Sequence, residues 1–149
     1  IDEARTNHPD DKYLVQETIH PTLLGGRRAW FRAYHAFGMT ILCWWDDITH
    51  QYTEVTPEEE AGFGLDGLRH VIEIIRRACR LDFFSSEIAI TRERKFIVVD
   101  YVNEVCDMRM KSLHENGAPD AVVSSIARWL AERVAEHSAR ARERTGTDD

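Results

Sequence analysis

Apolar positions recur along this chain with two periods, and the switches between them set the order of elements. Residues 12–19 (KYLVQETI) alternate and are rich in strand formers, so they predict a strand that ends at Pro21 and Gly25-Gly26. Residues 28–36 (RAWFRAYHA) and 39–45 (MTILCWW) flank Phe37-Gly38 and predict a β-hairpin. A polar connection follows, from Asp46 to Thr56. Thr56-Pro57-Glu58-Glu59 then reads as a helix start: threonine caps, proline suits the first helical position, and Glu59 can bond back to the cap. Leu65, Leu68, Val71, Ile72, Ile75 and Cys79 recur at helical spacing, which predicts one helix over 58–80 whose first turns are weakened by Gly62 and Gly64. Residues 82–90 (DFFSSEIAI) and 96–102 (FIVVDYV) predict two more strands around a charged turn at Thr91 to Lys95. A polar loop occupies 103–118, and Pro119 opens a last helix with the apolar stripe Val123, Ile126, Ala127, Leu130 and Val134.

The order β-β-β-α-β-β-α, with hairpins that require antiparallel pairing, predicts an α+β fold: an antiparallel sheet with helices packed on one face. The expected organisation is a linker or cut end over 1–11, one folded unit over 12–138, and a solvated helix end and disordered tail over 139–149. The polar opening after Ile1 suggests a piece of a longer protein.

Composition narrows the function classes. A net charge of −7 argues against general nucleic-acid binding, which needs a basic footprint, but leaves room for a nucleotide held by a few local cations. No apolar run approaches a membrane span and no signal peptide is visible, so no membrane partner is expected. Cys43, Cys79 and Cys106 are odd in number and widely spaced, which suits structural thiols in a cytoplasmic protein better than a disulfide framework or a zinc cluster.

The second hairpin carries the chemistry. With a four-residue loop, Arg92 to Lys95, Ile90 faces Ile97, Ile88 faces Val99, and Phe84 faces Asn103. These residues and Tyr101 form an apolar face, while Ser85, Glu87, Ala89, Val98, Asp100 and Val102 form the other. Glu87 then stands directly opposite Asp100. Like charges in that relation destabilise a sheet unless they are neutralised. A divalent cation, a shared proton, or simple solvation with help from Arg92 or Arg94 would each serve.

Three stretches resemble the ATP-grasp superfamily, over about residues 12–138. Tyr13 to Ile19 is similar to its hinge strand, an apolar run ending in Gln16-Glu17. Trp30 to Gly38 is similar to its hairpin strand, an arginine followed by alternating apolar residues and glycine. Phe84-Ser85-Ser86-Glu87 with Phe96 to Asn103 resembles its terminal metal motif, an acid, about a dozen residues, a second acid and an asparagine. The resemblance implies the C-terminal lobe of an ATP-dependent carboxylate–amine or carboxylate–thiol ligase that works through an acyl-phosphate. It implies ATP at a hinge of Gln16, Glu17, Thr18 and Ile19, Mg²⁺ or Mn²⁺ at Glu87, Asp100 and Asn103, and a catalytic Arg32 near the phosphates. Arg109, in the loop after the metal motif, would meet a carboxylate of the small-molecule substrate. The superfamily's N-terminal lobe would be the missing partner, so this chain alone is expected to be inactive.

The sequence departs from that pattern at three points. Asp100 and Asn103 are separated by two residues where the superfamily usually has one, so strict alternation puts Asn103 on the opposite face unless the strand bulges or ends there. Glu87 replaces the commoner aspartate, and Leu24 stands where an acid for the ribose hydroxyls is often found. A small-molecule kinase of the same fold is one alternative. A non-catalytic dimerisation or ligand-binding module is another. A cleft-facing sheet left uncovered is also a surface through which an isolated chain can pair with itself as a homodimer.

Overall fold

The computed structural model describes residues 6, 10, 12 and 16–145. Among them, a two-residue turn at Gly25-Gly26 joins the short strands β1 (Leu23–Leu24) and β2 (Arg27–Arg28). Both glycines have positive φ, as such a tight hairpin turn demands. The main sheet is built from β3 (Trp30–Ala36), β4 (Met39–Trp45), β5 (Tyr52–Glu54), β6 (Phe83–Ile90) and β7 (Phe96–Asn103). Its strands lie in the order β5-β4-β3-β6-β7, and every neighbouring pair is antiparallel. With the helices α1 (Pro57–Phe63), α2 (Asp66–Cys79) and α3 (Asp120–Thr145), the fold is α+β, as the sequence pattern predicts.

The two faces of the sheet have different covers. Phe31 and Ala33 of β3, Leu42 and Trp44 of β4, and Phe84, Ile88 and Ile90 of β6 point to one face. There they meet Leu68, Ile72 and Ile75, the buried stripe of α2. Tyr34 and Ala36, one residue out of phase on β3, point to the other face with Cys43 and Tyr52. Val122 and Ile126, in the opening turns of α3, close that side. Helix α2 covers one face as expected, but α3 begins on the opposite one, so the expectation of helices on a single face is corrected: the sheet carries a helix on each side. Of the stripe expected on α3, Val123 and Ile126 are buried, but Ala127, Leu130 and Val134 are exposed, because the face turned to the sheet runs through Val122, Ile126 and Trp129.

The expected helix over 58–80 is two helices. Thr56 accepts from the Glu59 N–H and the Glu59 carboxylate accepts from the Thr56 N–H, so the predicted capping box is present. Gly64 takes the left-handed conformation and its N–H turns back to Ala61, which ends α1 and lets α2 start afresh at Asp66. Glu59 also accepts from the Trp44 indole at 3.0 Å and from Arg27 at 3.4 Å, tying this cap to the sheet.

Two other expectations change. In the stretch expected as a strand over 12–19, Lys12 and residues 16–19 form no strand, and Tyr13, Leu14 and Val15 lie outside the described residues. The chain joins the sheet at Thr22, whose N–H donates to Ile90. Just upstream, Pro21 has no N–H with which to continue a ladder. Within the expected loop 46–56, Tyr52–Glu54 is a strand, too short to show a period and formed by pairing with the end of β4. The helical tail expected beyond 138 is present through Thr145.

His35 illustrates how the first core treats a titratable group. It is buried on the α2 side, its ring 5.3 Å from that of Phe84. Burial lowers its pKa, Arg76 lowers it further, and Glu73 and Asp82 act in the opposite sense. A histidine held neutral by the fold stabilises it fully above the unfolded-state pKa of about 6.5. That contribution declines as pH falls through the window below it. The expected outcome in denaturant titrations is that wild type loses stability on acidification from about pH 7, and that His35→Phe flattens this part of the profile.

Candidate functional site

The site begins with the register of the central strands. Arg32 on β3 pairs with Glu87 on β6, and Glu87 pairs with Asp100 on β7. One pleat further along the same face, Tyr34 pairs with Ser85 and Ser85 with Asn103. The predicted opposition of Glu87 and Asp100 is therefore present, but the regular register expected around it is not. Ile90 pairs with Phe96, Ala89 with Ile97 and Ile88 with Val98, and the register shifts on each side of Glu87. Each shift adds one residue to β7.

These irregularities decide which way β7 points its side chains. Phe96, Val98 and Val102 pack against the α2-side core, while Tyr101 is exposed. The face expected to carry Ile97, Val99, Tyr101 and Asn103 into the core is thus corrected. Asn103 faces Ser85 rather than Phe84 and joins the acids on the opposite side. On the core side, the Ser86 hydroxyl donates to the Asp100 carbonyl at 2.8 Å, within the irregular stretch. A small polar residue there satisfies a backbone oxygen that a bulge removes from the ladder.

The charge that neutralises the pair comes from β3. Arg32 Nη2 donates to Glu87 Oε1, and Arg32 Nη1 lies 3.4 Å from Asp100 Oδ2 and 3.5 Å from Ser85 Oγ. Trp30, two residues before Arg32 on the same face, donates its indole N–H to Glu87 Oε2 at 3.2 Å. Arg92 and Arg94, the helpers the sequence offered, lie elsewhere: Arg94 donates to the carbonyls of Phe63 and Gly64, and Arg92 lines a different cavity. The Arg32 side chain is 10% exposed and that of Glu87 16%, whereas that of Asp100 is 46% exposed. The pair is buried at its Arg32–Glu87 end and open to solvent at Asp100.

Arg32 also lines a cavity of about 460 Å³ with Tyr52, Asn103, Cys106, Asp107 and Arg109. The loop after β7 forms one wall of it. Asn103 Oδ1 accepts from the Val105 N–H, turning the chain at the strand end. The Asp107 carboxylate takes a two-point ion pair from Arg109, at 3.0 and 2.9 Å. Tyr34 donates to the Asp107 carbonyl at 3.4 Å, and Lys111 donates to the Tyr52 carbonyl at 2.7 Å. Gly117 fixes the return of this loop: a Cβ there would fall 2.5 Å from the Arg109 carbonyl oxygen. Cys106 is half-buried, and burial raises the pKa of its thiol.

Residues 16–19, expected as a nucleotide hinge, stand apart from this cavity. Glu17, Thr18 and Ile19 line a separate one of about 550 Å³ with Arg28, Thr91 and Arg92, and Gln16 is exposed. Arg28 is held by a two-point ion pair to Asp47, at 2.8 and 2.7 Å. Trp44 and Trp45 point to opposite faces, as alternation requires: Trp44 is in the core, and Trp45 lies under Arg32, 5.3 Å from ring centre to Cζ. The structure thus gathers Arg32, Glu87, Asp100 and Asn103 on one face of the sheet, with Arg109 on the cavity that Arg32 and Asn103 line, apart from residues 16–19. Trp30 and Ser85 belong to the same group. The period-2 alternation through Arg32 and Glu87 was a signal for both.

Among the described residues, no group of three or more His, Cys, Asp or Glu side chains is arranged to hold a metal ion, and no helix is long and apolar enough to cross a membrane. All three cysteines are free, and burial pushes the Cys43 thiol up to about 12. Comparison with protein-family models, with curated proteins and with solved structures yields no match for this chain.

Removing one partner of a buried ion pair costs about 3–5 kcal/mol because it strands the other charge. Arg32→Met is expected to destabilise the fold by an amount near the lower end of that range, since Asp100 is partly solvated. The same substitution should cost less in a Glu87→Gln background. Denaturant unfolding of the four proteins of this cycle measures the coupling.

Proposed function

We propose that this chain is the nucleotide- and metal-binding C-terminal lobe of an ATP-grasp ligase, one that activates a carboxylate as an acyl-phosphate for attack by an amine or thiol. The observation that carries the reading is the gathering of Glu87, Asp100 and Asn103 on one face of β6 and β7, beside Arg32. The resemblance of the hinge, hairpin and terminal motifs requires that arrangement, and regular strand alternation would have forbidden it.

The donor set suits Mg²⁺ or Mn²⁺. Two carboxylates and an amide oxygen are hard ligands, and Mg²⁺ commonly takes one or two protein carboxylates while substrate phosphates and water complete its shell. Asn103 Oδ1 already accepts one hydrogen bond and has a second lone pair to offer. When bound, the metal would neutralise the phosphate charge that grows as the γ-phosphoryl group is transferred.

The chain's own residues have separable tasks in this reading. The backbone of Glu17, Thr18 and Ile19 would meet the adenine edge of ATP. Arg32 would bind phosphate or acyl-phosphate oxygens with its planar, two-point donor set. Arg109 would orient the substrate carboxylate at the mouth of the cavity, sharing its charge with Asp107. Phosphoryl transfer depends on positioning and charge neutralisation more than on covalent help, and rigid strands supply both. The N-terminal lobe of the superfamily would be the partner that completes the cleft.

Water-proton relaxation with Mn²⁺, with and without ATP, tests the reading on this chain. Saturable binding is expected, tighter when ATP is present. Glu87→Gln combined with Asp100→Asn should weaken it by at least about tenfold, the loss that even an outer partner of a metal ligand causes. Binding unchanged by the double substitution would remove the proposed site.

A further inference from the structure

We propose that Arg32 is the resident counter-ion of the Glu87–Asp100 pair, and that a divalent cation binds there by displacing its guanidinium, which then takes an anionic group of the ligand in the adjoining cavity. The inference rests on the metal-hairpin reading and adds a regulation to it: metal and anion bind together, each making way for the other.

The guanidinium is well placed but incompletely satisfied. Its firm contact is to Glu87, while those to Asp100 and Ser85 stand at 3.4 and 3.5 Å, near the limit of a hydrogen bond. Arg32 is 8% exposed, and its Nε is buried without a hydrogen-bond partner among the described residues. A buried donor left unmade is costly, so this arginine holds unused capacity for an acceptor. Once the guanidinium shifts, that donor can meet an acceptor in the cavity of about 460 Å³ that Arg32 lines.

Two further contacts make displacement economical. Trp45 lies under the guanidinium at 5.3 Å, a flat aromatic surface over which the group can shift while keeping its cation–π attraction. Trp30 holds Glu87 through Oε2, whereas Arg32 uses Oε1, so Glu87 stays anchored when Arg32 leaves. Asp100, the more solvated acid, offers the entry side. A guanidinium and a divalent cation cannot both sit between the same two carboxylates, because like charges at that range repel strongly. Occupancy by one therefore excludes the other. An anion that engages the displaced arginine favours the metal, and by linkage the metal favours the anion.

The test measures Mn²⁺ affinity by the electron paramagnetic resonance of free Mn²⁺, without nucleotide, on wild type, Arg32→Met and Arg32→Met/Glu87→Gln. Arg32→Met is expected to bind Mn²⁺ at least about fivefold more tightly than wild type, the lower end of a coupling between linked sites, and the added Glu87→Gln to abolish that gain. A second measurement uses the intact chain. The Arg32 Nε–H resonance, assigned by its loss in Arg32→Lys, should move on titration with Mg²⁺ and saturate with it. Equal or weaker Mn²⁺ binding by Arg32→Met, or an Arg32 resonance unmoved at Mg²⁺ saturation, overturns the displacement while leaving the metal site in place. Absence of saturable Mn²⁺ binding from both wild type and Arg32→Met, or binding indifferent to Glu87→Gln, overturns the site and the displacement together. If Arg32→Met does not fold, the wild-type resonance decides.

Discussion

Glu87 and Asp100 stand opposite one another on adjacent strands, a relation that weakens a sheet unless their charge is neutralised. The strand order supplies the neutralising cation. Because β3 lies next to β6, Arg32 falls in the same row as the two acids and reaches both. The irregular register of β7 completes the row. An even strand would send Asn103 into the core, whereas the shifts on both sides of Glu87 turn Phe96, Val98 and Val102 inward and leave Asp100 and Asn103 with Glu87. Backbone groups loosened by such a bulge need partners, and the Ser86 hydroxyl provides one for Asp100.

The opposite face of the sheet keeps this row in position. Phe31, Ile88 and Ile90 alternate with Arg32, Glu87 and Ala89 along the same two strands, and they are locked beneath α2 by Leu68, Ile72 and Ile75. Arg32 and Glu87 are therefore carried on backbone whose neighbouring residues are buried. Glu59 extends the support to the end of β4 by joining the cap of α1 to Trp44 and Arg27. On the cleft side, Tyr34 and Lys111 fasten the loop that carries Asp107 and Arg109, and Gly117 gives that loop its close return.

Local signals in the sequence found what local physics determines. The hairpin around Phe37-Gly38, the capping box at Thr56 and the two arms of the second hairpin are where their patterns put them. The opposition of Glu87 to Asp100 is present although the register expected near the turn is one residue off: Ile90 meets Phe96 rather than Ile97, and the shift between Ile88 and Glu87 restores the pairing. The bulges were not legible, since no residue type marks them, and so neither were the true core-facing residues of β7. The salt link from Arg32 was hidden for a different reason. It joins strands separated by about fifty positions in the sequence, and nothing within either strand announces their pairing. Tyr52–Glu54 was too short to show a period, and residues 16–19, the end of a stretch that alternates over 12–19, form no strand. Propensity alone does not make a ladder.

The central claim is that β6 and β7 form a divalent-cation site centred on the opposed acids. Paramagnetic broadening of backbone amide signals by substoichiometric Mn²⁺, mapped residue by residue, tests it most directly. The account predicts that broadening centres on 85–87 and 100–103, extends to Arg32, and spares the exposed acids of the 46–47 turn and of α3. Broadening centred on those acids, with the amides around Glu87 and Asp100 left sharp, would contradict it.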